Sequence, residues 1–136
     1  MKMIKYLFLA TSLFSINSLF AGPIEYNCQM KYEYSLTSIG ELSEGKMIYK
    51  GEIFHIERPS GTVLGGGLGN RFYPTKIIID PGSKEQNFKL LYLSNPVKGT
   101  ENGKNAVYIE VKEYAKTYEK PFVAVTNTKV LSGICI

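Results

Sequence analysis

The sequence predicts an all-β protein, a single antiparallel β-barrel or sandwich of about seven or eight strands. Three observations support this fold class. Residues 24–36 alternate strictly between apolar and polar side chains, short segments rich in Val, Ile and Tyr recur between turn-forming residues, and the only two cysteines lie near the two ends of the domain. Together they indicate a small sheet protein whose terminal strands are neighbours.

Residues 1–21 form a predicted secretory signal peptide. Lys2 and Lys5 precede an apolar stretch, and Ala21 supplies the small residue at the cleavage site. Cleavage there leaves residues 22–136 as one β-rich domain. No later apolar run is long enough to span a bilayer, so we expect a periplasmic or secreted protein without a membrane span after cleavage.

The first predicted strand covers residues 24–36. Its apolar phase includes Tyr26, Cys28, Tyr32 and Tyr34, which are expected to face the core. At about 3.3 Å per residue the segment exceeds 40 Å, which is longer than an ordinary strand. It is therefore expected to bend around a corner of the barrel or sandwich.

The later strand segments are separated by turn residues. Gly51 is predicted to form a bulge within strand material at residues 46–58, and Asp80 is predicted to open a turn. Residues 112–120 are ambiguous, because Tyr114 and Tyr118 are spaced as in a short helix, and a helix there is the alternative to a strand extension. The other predicted strands cover residues 62–64, 75–79, 87–94, 106–111, 122–125 and 130–136.

A disulfide between Cys28 and Cys135 is predicted, because export removes the chain from reducing conditions and the cysteine count is even. Such a bond requires the two Cα atoms to approach within about 7 Å. The first and last strands are therefore expected to be adjacent, as when a meander closes into a barrel.

The charge distribution disfavours nucleic-acid binding. Removal of Lys2 and Lys5 with the leader lowers the formal net charge from +4 to +2, and the remaining lysines are dispersed among acidic neighbours. A nucleic-acid surface would need a concentrated basic face.

The titratable residues give little support for catalysis or metal binding. His55 is the only histidine and Asp80 the only aspartate, and paired cysteines cannot serve as zinc ligands. Glu52 with Glu57, or Glu110 with Glu113, could form an acid–base pair, but surface carboxylates on strands usually aid solubility. We therefore expect a protein that is not an enzyme, with no catalytic residue, metal site or cofactor.

A glycine-rich segment with a cation and two aromatic residues is the candidate contact surface. It lacks the following helix that a phosphate-binding loop requires, so the glycines are expected to permit positive φ angles or close backbone contacts. Tyr114 and Tyr118 form a second, alternative contact segment. The predicted partner-binding residues are Ser60, Gly61, Gly66, Gly67, Arg71, Phe72 and Tyr73.

Three features of the sequence resemble the layout of small periplasmic C-type lysozyme inhibitors: the Tyr26-Asn27-Cys28 frame, the Ser60-Gly61 pair after a strand, and the C-terminal Cys135. The resemblance covers scattered positions, and Thr62 follows the Ser-Gly pair where that family continues toward a tyrosine. It implies a disulfide-linked barrel that blocks an active site with a loop.

The expected function is that of an exported, non-catalytic binding protein with a protein partner in the cell envelope. A narrower alternative is an inhibitor or immunity protein that blocks a cell-wall hydrolase or toxin. A third is a carrier of a small apolar ligand inside the barrel.

Overall fold

The computed structural model describes residues 23–46, 48–83, 85–95 and 104–136, so the predicted leader and its cleavage site lie outside the described residues. Within these ranges the chain is all β and contains no helix. Its antiparallel strands are β1 (Glu25–Leu36), β2 (Leu42–Glu44), β3 (Ile53–Glu57), β4 (Thr62–Gly65), β5 (Thr75–Pro81), β6 (Phe88–Leu93), β7 (Ala106–Val111), β8 (Lys120–Val125) and β9 (Lys129–Cys135).

The strands form one sheet in the order β4-β3-β1-β9-β8-β7-β6-β5, with β2 added beside the end of β1. The sheet curls into a nearly closed barrel whose seam lies between β4 and β5. At that seam a Cβ added to Gly61 would lie 2.8 Å from Leu90 Cδ1, so the start of β4 approaches β6 too closely for any larger residue. This confirms the predicted fold class and resolves it in favour of a barrel.

The predicted disulfide joins Cys28 and Cys135, which are direct partners in the pairing of β1 with β9. The first and last strands are therefore neighbours, although they lie in the middle of the sheet rather than at the seam. The bond closes a sequence separation of 107 residues. On the chain-entropy model a loop of this length contributes about 4–5 kcal/mol to stability. The buried bond is compatible with an oxidising compartment.

A β-bulge in β1 changes which side chains face the core. The pairing with β9 shifts between Met30 and Tyr32, so one extra residue enters the strand. Tyr26 and Cys28 are buried as predicted, but beyond the bulge the alternation reverses. Tyr32 and Tyr34, predicted to be core residues, are 54% and 39% exposed, and Glu33 turns inward instead.

The predicted bulge at Gly51 agrees with the backbone hydrogen bonds beside β3. Gly51 has a φ of 83°, its N donates to Met30 O at 2.8 Å, and Met30 N donates to Glu52 O at 3.0 Å, so Gly51 and Glu52 together oppose one residue of β1. The prediction for residues 112–120 is wrong. Residues 112–119 form turns and bends, so neither the helix nor the strand extension is present, because the chain must reverse there between β7 and β8. The turn at Asp80 is confirmed, since Gly82 N donates to Asp80 Oδ1 at 2.9 Å.

Side chains from every strand except β2 contribute to one core. The aromatic members make edge-on and tilted contacts, among them Phe54 with Phe122 at 5.1 Å between ring centroids and Tyr26 with Phe88 at 5.7 Å. The barrel interior is thus filled with protein side chains, and a space for a ligand has to be sought at its ends.

Candidate functional site

One end of the barrel carries a cleft of about 680 Å³. We call this the open end; β4 and β8 end here, and β7 begins here. Three buried side chains, Leu68, Val107 and Leu131, are among the residues that line it. An apolar floor with polar groups around it is the usual anatomy of a binding cleft.

The polar wall of the cleft is held in place by hydrogen bonds between two turns. Asn127 Nδ2 donates to Asn105 Oδ1 at 2.5 Å, and Ala106 N donates to Asn127 Oδ1 at 3.0 Å. Thr126 and Lys129 close the turn between β8 and β9, with Thr126 N 2.9 Å from Lys129 O. These contacts fix the wall before any ligand binds.

A charged cluster borders the same cleft. Lys129 Nζ lies 2.5 Å from Glu33 Oε1 and 4.9 Å from the centre of the Tyr49 ring. Glu33 is only 3% exposed, because the bulge in β1 points it inward. The lysine thus provides the counter-ion of a buried carboxylate at the edge of the cleft.

The glycine-rich loop after β4 forms the opposite wall, where Gly66 and Gly67 line the cleft. Gly67 has a φ of 67°, and a Cβ there would lie 2.5 Å from Tyr49 Cε1. Residues 65–67 all have positive φ, as the sequence predicted for this run. The glycine at position 67 thus allows the loop backbone to lie against the Tyr49 ring, which a side chain would prevent.

Three anchors hold the rest of the loop against the barrel. Leu68 is 4% exposed, and its carbonyl accepts a hydrogen bond from Tyr92 OH at 2.5 Å. Asn70 is fully buried. Tyr73 packs edge-on against Tyr92, with 5.2 Å between ring centroids. A loop anchored in this way presents its remaining side chains in a fixed position.

Asn70 forms hydrogen bonds with the backbone groups along the unpaired edge of β4. Its Oδ1 accepts from Val63 N at 2.7 Å, its Nδ2 donates to Gly61 O at 2.8 Å, and its own N donates to Val63 O at 2.9 Å. One residue therefore makes the hydrogen bonds that a neighbouring strand would make. Sequence reasoning missed this role, for which the sequence offers no marker beyond an asparagine near a glycine run.

Two exposed side chains, those of Arg71 and Phe72, lie between the anchors Asn70 and Tyr73. Phe72 is 89% exposed, more than any other large hydrophobic residue that the structure describes. The Arg71 guanidinium lies 5.8 Å from the centre of the Phe72 ring. The pair forms a cationic and aromatic tip next to the cleft.

The structure divides the predicted partner-binding residues between two places. Gly66, Gly67 and Tyr73 line the cleft, and Arg71 and Phe72 lie in the same loop. Ser60 and Gly61 precede β4 and therefore lie at the opposite end of the barrel, where Ser60 Oγ donates to Glu57 Oε2 at 2.5 Å and lies within hydrogen-bond distance of Thr62 Oγ1, at 2.8 Å. The contacts of Ser60 lie within the turn between β3 and β4 and stabilise it.

That opposite end, which we call the closed end, contains a buried ionic cluster that the sequence did not reveal. Arg58 is fully buried, and its Nη1 lies 3.0 Å from Glu113 Oε1 and 2.7 Å from Pro23 O. Its Nη2 donates to Pro81 O at 2.5 Å. Arg58 thereby ties β3 to the end of β5 across the seam.

Tyr26 belongs to the same cluster. Its hydroxyl donates to Glu113 Oε2, and its ring centre lies 5.4 Å from the Arg58 guanidinium. Burial, followed by the hydrogen bond to Glu113, raises the pKa of Tyr26 well above its usual value. Arg58, Glu113 and Tyr26 contact one another in the interior, so we interpret the cluster as one that stabilises the fold.

Three of the residues considered for catalysis, His55, Glu110 and Glu113, make their contacts outside the cleft. His55 is exposed, and its Nδ1 is hydrogen bonded to Asn27 Oδ1. Glu110 accepts from Tyr108 on the outer face of the sheet, whereas Glu113 is buried with Arg58. The described ranges contain no group of His, Cys, Asp and Glu residues suited to hold a metal ion.

Among the described residues, none belongs to a helix with the length and apolar character needed to cross a membrane. No protein-family model, curated protein or solved structure matches the chain.

Proposed function

We propose that this chain is an exported, non-catalytic binding protein that contacts a protein partner through the Arg71-Phe72 tip and the adjoining cleft. The supporting observation is the exposure of Phe72 on a loop whose neighbours Leu68, Asn70 and Tyr73 are anchored. An exposed aromatic residue in a fixed position loses little conformational freedom on binding. Aromatic and arginine side chains also dominate the binding energy of many protein interfaces.

The cleft fits this function because it can accept a side chain of the partner while Phe72 enters a pocket on the partner. Its buried floor of Leu68, Val107 and Leu131 offers apolar contact, and Asn105 and Asn127 offer amide groups near the rim. An apolar centre inside a polar border is typical of stable protein interfaces.

A more specific candidate is an inhibitor or immunity protein that blocks an exported hydrolase or toxin. A fixed loop with one protruding aromatic residue and one cation suits insertion into an active-site cleft. The alternative of an apolar-ligand carrier receives less support, because aromatic and aliphatic side chains fill the described interior of the barrel.

Site-specific photo-crosslinking tests the proposed surface. A benzophenone amino acid replaces Phe72 in one variant and Tyr118, which is 83% exposed at the closed end, in the control. In periplasmic extract we expect one discrete adduct from position 72 and none of that mass from position 118. Excess unlabelled protein should suppress the adduct, whereas excess Phe72→Ala should not. The same adducts from both positions, or none from position 72, would move the site elsewhere.

Export is tested separately by the intact mass of the protein from its host. Processing after Ala21 should give a chain that begins at Gly22 and contains no free thiol. An unprocessed chain in the cytosol would contradict the proposed compartment. The crosslinked partner, once identified, then decides between a general binding protein and an inhibitor, because only an inhibited enzyme loses activity at stoichiometric addition.

A further inference from the structure

The outer surface of the barrel has two unlike sides. On the side formed by β1, β3 and β4, the paired residues that face outward are mostly polar. Asn27, His55 and Leu64 form one row across these three strands, and the next row contains Glu25 and Glu57. This side is an ordinary solvated surface.

Elsewhere on the outer surface, one row of directly paired outward residues runs from the far part of β1 across six strands without a charge. Its members lie on β1, β9, β8, β7, β6 and β5 in turn, and we call them the apolar row: Tyr34, Val130, Val125, Tyr108, Leu91 and Ile77. Val125 is 40% exposed and Ile77 46% exposed. The row is therefore a continuous apolar band on the surface.

The dimensions of this side suit a protein contact. The four neighbouring strands β5–β8 extend about 14 Å at about 4.8 Å spacing, and six residues along a strand add about 20 Å in the other direction. The resulting area of about 290 Å² is near the lower end of the largest patches of monomeric proteins, which measure about 300–600 Å² and are often functional. It can supply the centre of an interface that buries about 800 Å² on each partner.

Two residues of opposite charge are paired next to the apolar row. Lys89 on β6 is the direct cross-strand partner of Glu110 on β7. Glu110 also accepts hydrogen bonds from Tyr108 OH, at 2.7 Å, and from Asn87. The Tyr108 hydrogen bond, together with the nearby Asn87 amide and the Lys89 and Lys112 cations, lowers the pKa of Glu110. One cation and one anion thus lie side by side on adjacent strands.

We propose that two copies of this chain pair face to face through β5–β8, around a twofold axis that runs along the strands between β6 and β7. This axis places Leu91 opposite Tyr108 of the second copy, and Ile77 opposite its Val125. It also places Lys89 opposite the second copy's Glu110, so each ionic contact occurs twice. The surface is self-complementary in both apolar character and charge, which a twofold interface requires.

This inference is independent of the proposed function, because the Arg71-Phe72 tip and the cleft lie at the open end and remain accessible in such a dimer. Two faces of twisted sheets pack at about 10 Å with their strands within about 30° of each other. The dimer would thus be a pair of barrels with one binding tip on each.

Sedimentation equilibrium of the exported protein, from about 1 to about 100 µM, measures the association. We expect a dimer over part of this range and at least a tenfold weaker association in Val125→Lys, which places a charge inside the contact. Leu64→Lys is the matched control, since Leu64 is 49% exposed on the polar side, and it should dimerise normally. Circular dichroism checks the fold, and Ile77→Lys is the substitute if Val125→Lys is unfolded. A monomer throughout, or a dimer that tolerates the lysine, overturns the proposal.

Charge exchange tests the position of the axis. Lys89→Glu and Glu110→Lys should each weaken self-association, because each places like charges opposite one another. An equimolar mixture of the two should recover the dimer as a heterodimer. Failure of the mixture to associate overturns the axis. A chain that stays monomeric but floats with phosphatidylcholine vesicles would show that the face binds lipid, and would also overturn the proposal.

Discussion

The chain has two arginines, and they lie at opposite ends of the barrel. Arg58 is fully buried at the closed end, where it contacts Glu113, Tyr26 and the carbonyls of Pro23 and Pro81. Arg71 is exposed at the open end, where its described contact is the ring of Phe72. The same side chain thus holds the fold together at one end and remains available to a partner at the other.

This difference separates stability from recognition. At the closed end, each polar group that loses its partner would be left in a dry environment, so substitutions there are costly. At the open end, the side chains of Arg71 and Phe72 are exposed, so water fills the space that a shorter side chain leaves. Substitutions there should therefore change the free energy of unfolding little. Substitutions at the closed end should therefore lower the free energy of unfolding, whereas substitutions at the open end should weaken partner binding and leave stability nearly unchanged.

The largest expected effect is that of Arg58→Met. Removing the cation leaves the Glu113 carboxylate buried without its counter-ion, which typically costs about 3–5 kcal/mol. Urea denaturation measures the loss in free energy of unfolding. The matched control is Arg71→Met at the open end, which should change stability by no more than about 0.5 kcal/mol.

The double variant Arg58→Met with Glu113→Leu sharpens this result. Replacement of both charges by apolar groups removes the unpaired ion, so the double variant should be more stable than Arg58→Met alone. If the double variant is less stable than the single one, the interpretation of the cluster as an ion pair that needs both members is wrong.

A smaller loss is expected for Asn70→Ala. The substitution leaves Val63 N and Gly61 O without partners in a buried position, and an unsatisfied buried group costs about 1–3 kcal/mol. Asn127→Ala is the control, because Asn127 also makes two hydrogen bonds but is exposed to water that can replace them. Equal losses in thermal denaturation for the two variants would contradict the strand-like role of Asn70.

An alkaline transition should follow from the buried tyrosines. Burial and the hydrogen bond to Glu110 raise the pKa of Tyr108 to about 12, and burial raises the pKa values of Tyr26 and Tyr92 as well. A folded pKa above the unfolded value of 10.0 gives a contribution to stability that is complete below about pH 10. This contribution is lost as the pH rises toward 12.

Tyrosinate absorbance followed against pH checks this expectation, with circular dichroism as the measure of folding. Tyr26 and Tyr92 should ionise only with unfolding, so part of the absorbance change should coincide with the loss of the circular dichroism signal. An absorbance change that is complete before unfolding begins would contradict the burial of these two hydroxyl groups.

The smallest effect on stability is expected for Phe72→Ala, at about 0.5 kcal/mol or less. Tyr73→Ala should cost more, because Tyr73 packs on Tyr92 and its removal leaves a gap in the loop support. Thermal denaturation compares the two neighbours. A large loss for Phe72→Ala would make it a packing residue and remove the basis for the proposed tip.

Local patterns in the sequence predicted much of the fold. Alternation in residues 24–30 placed Cys28 on the buried face, and the cysteine count then identified its bond to Cys135. The pattern failed beyond Met30, because the apolar alternation of Tyr32 and Tyr34 continues through the bulge with no sign of an extra residue. Only the pairing with β9 shows that the phase reverses there.

The candidate site was predicted only in part. The glycine run and the aromatic residues marked the loop that contains Phe72, but Ser60 and Gly61 were grouped with it by proximity in sequence. A short strand runs from one end of the barrel to the other, so neighbours along the chain are separated in space. Arg58 was missed because its burial depends on Glu113, a residue distant in sequence whose position only the folded barrel defines.

The buried side chain of Asn70 also limits how the molecules can aggregate. An open sheet whose two edges can pair with one another in different molecules would grow as a filament without an end. At β4, the hydrogen-bonding groups of Gly61 and Val63 are already occupied by Asn70, so an incoming strand must first displace a fully buried residue. A single amide side chain thus terminates the sheet and favours closed assemblies over fibrous ones.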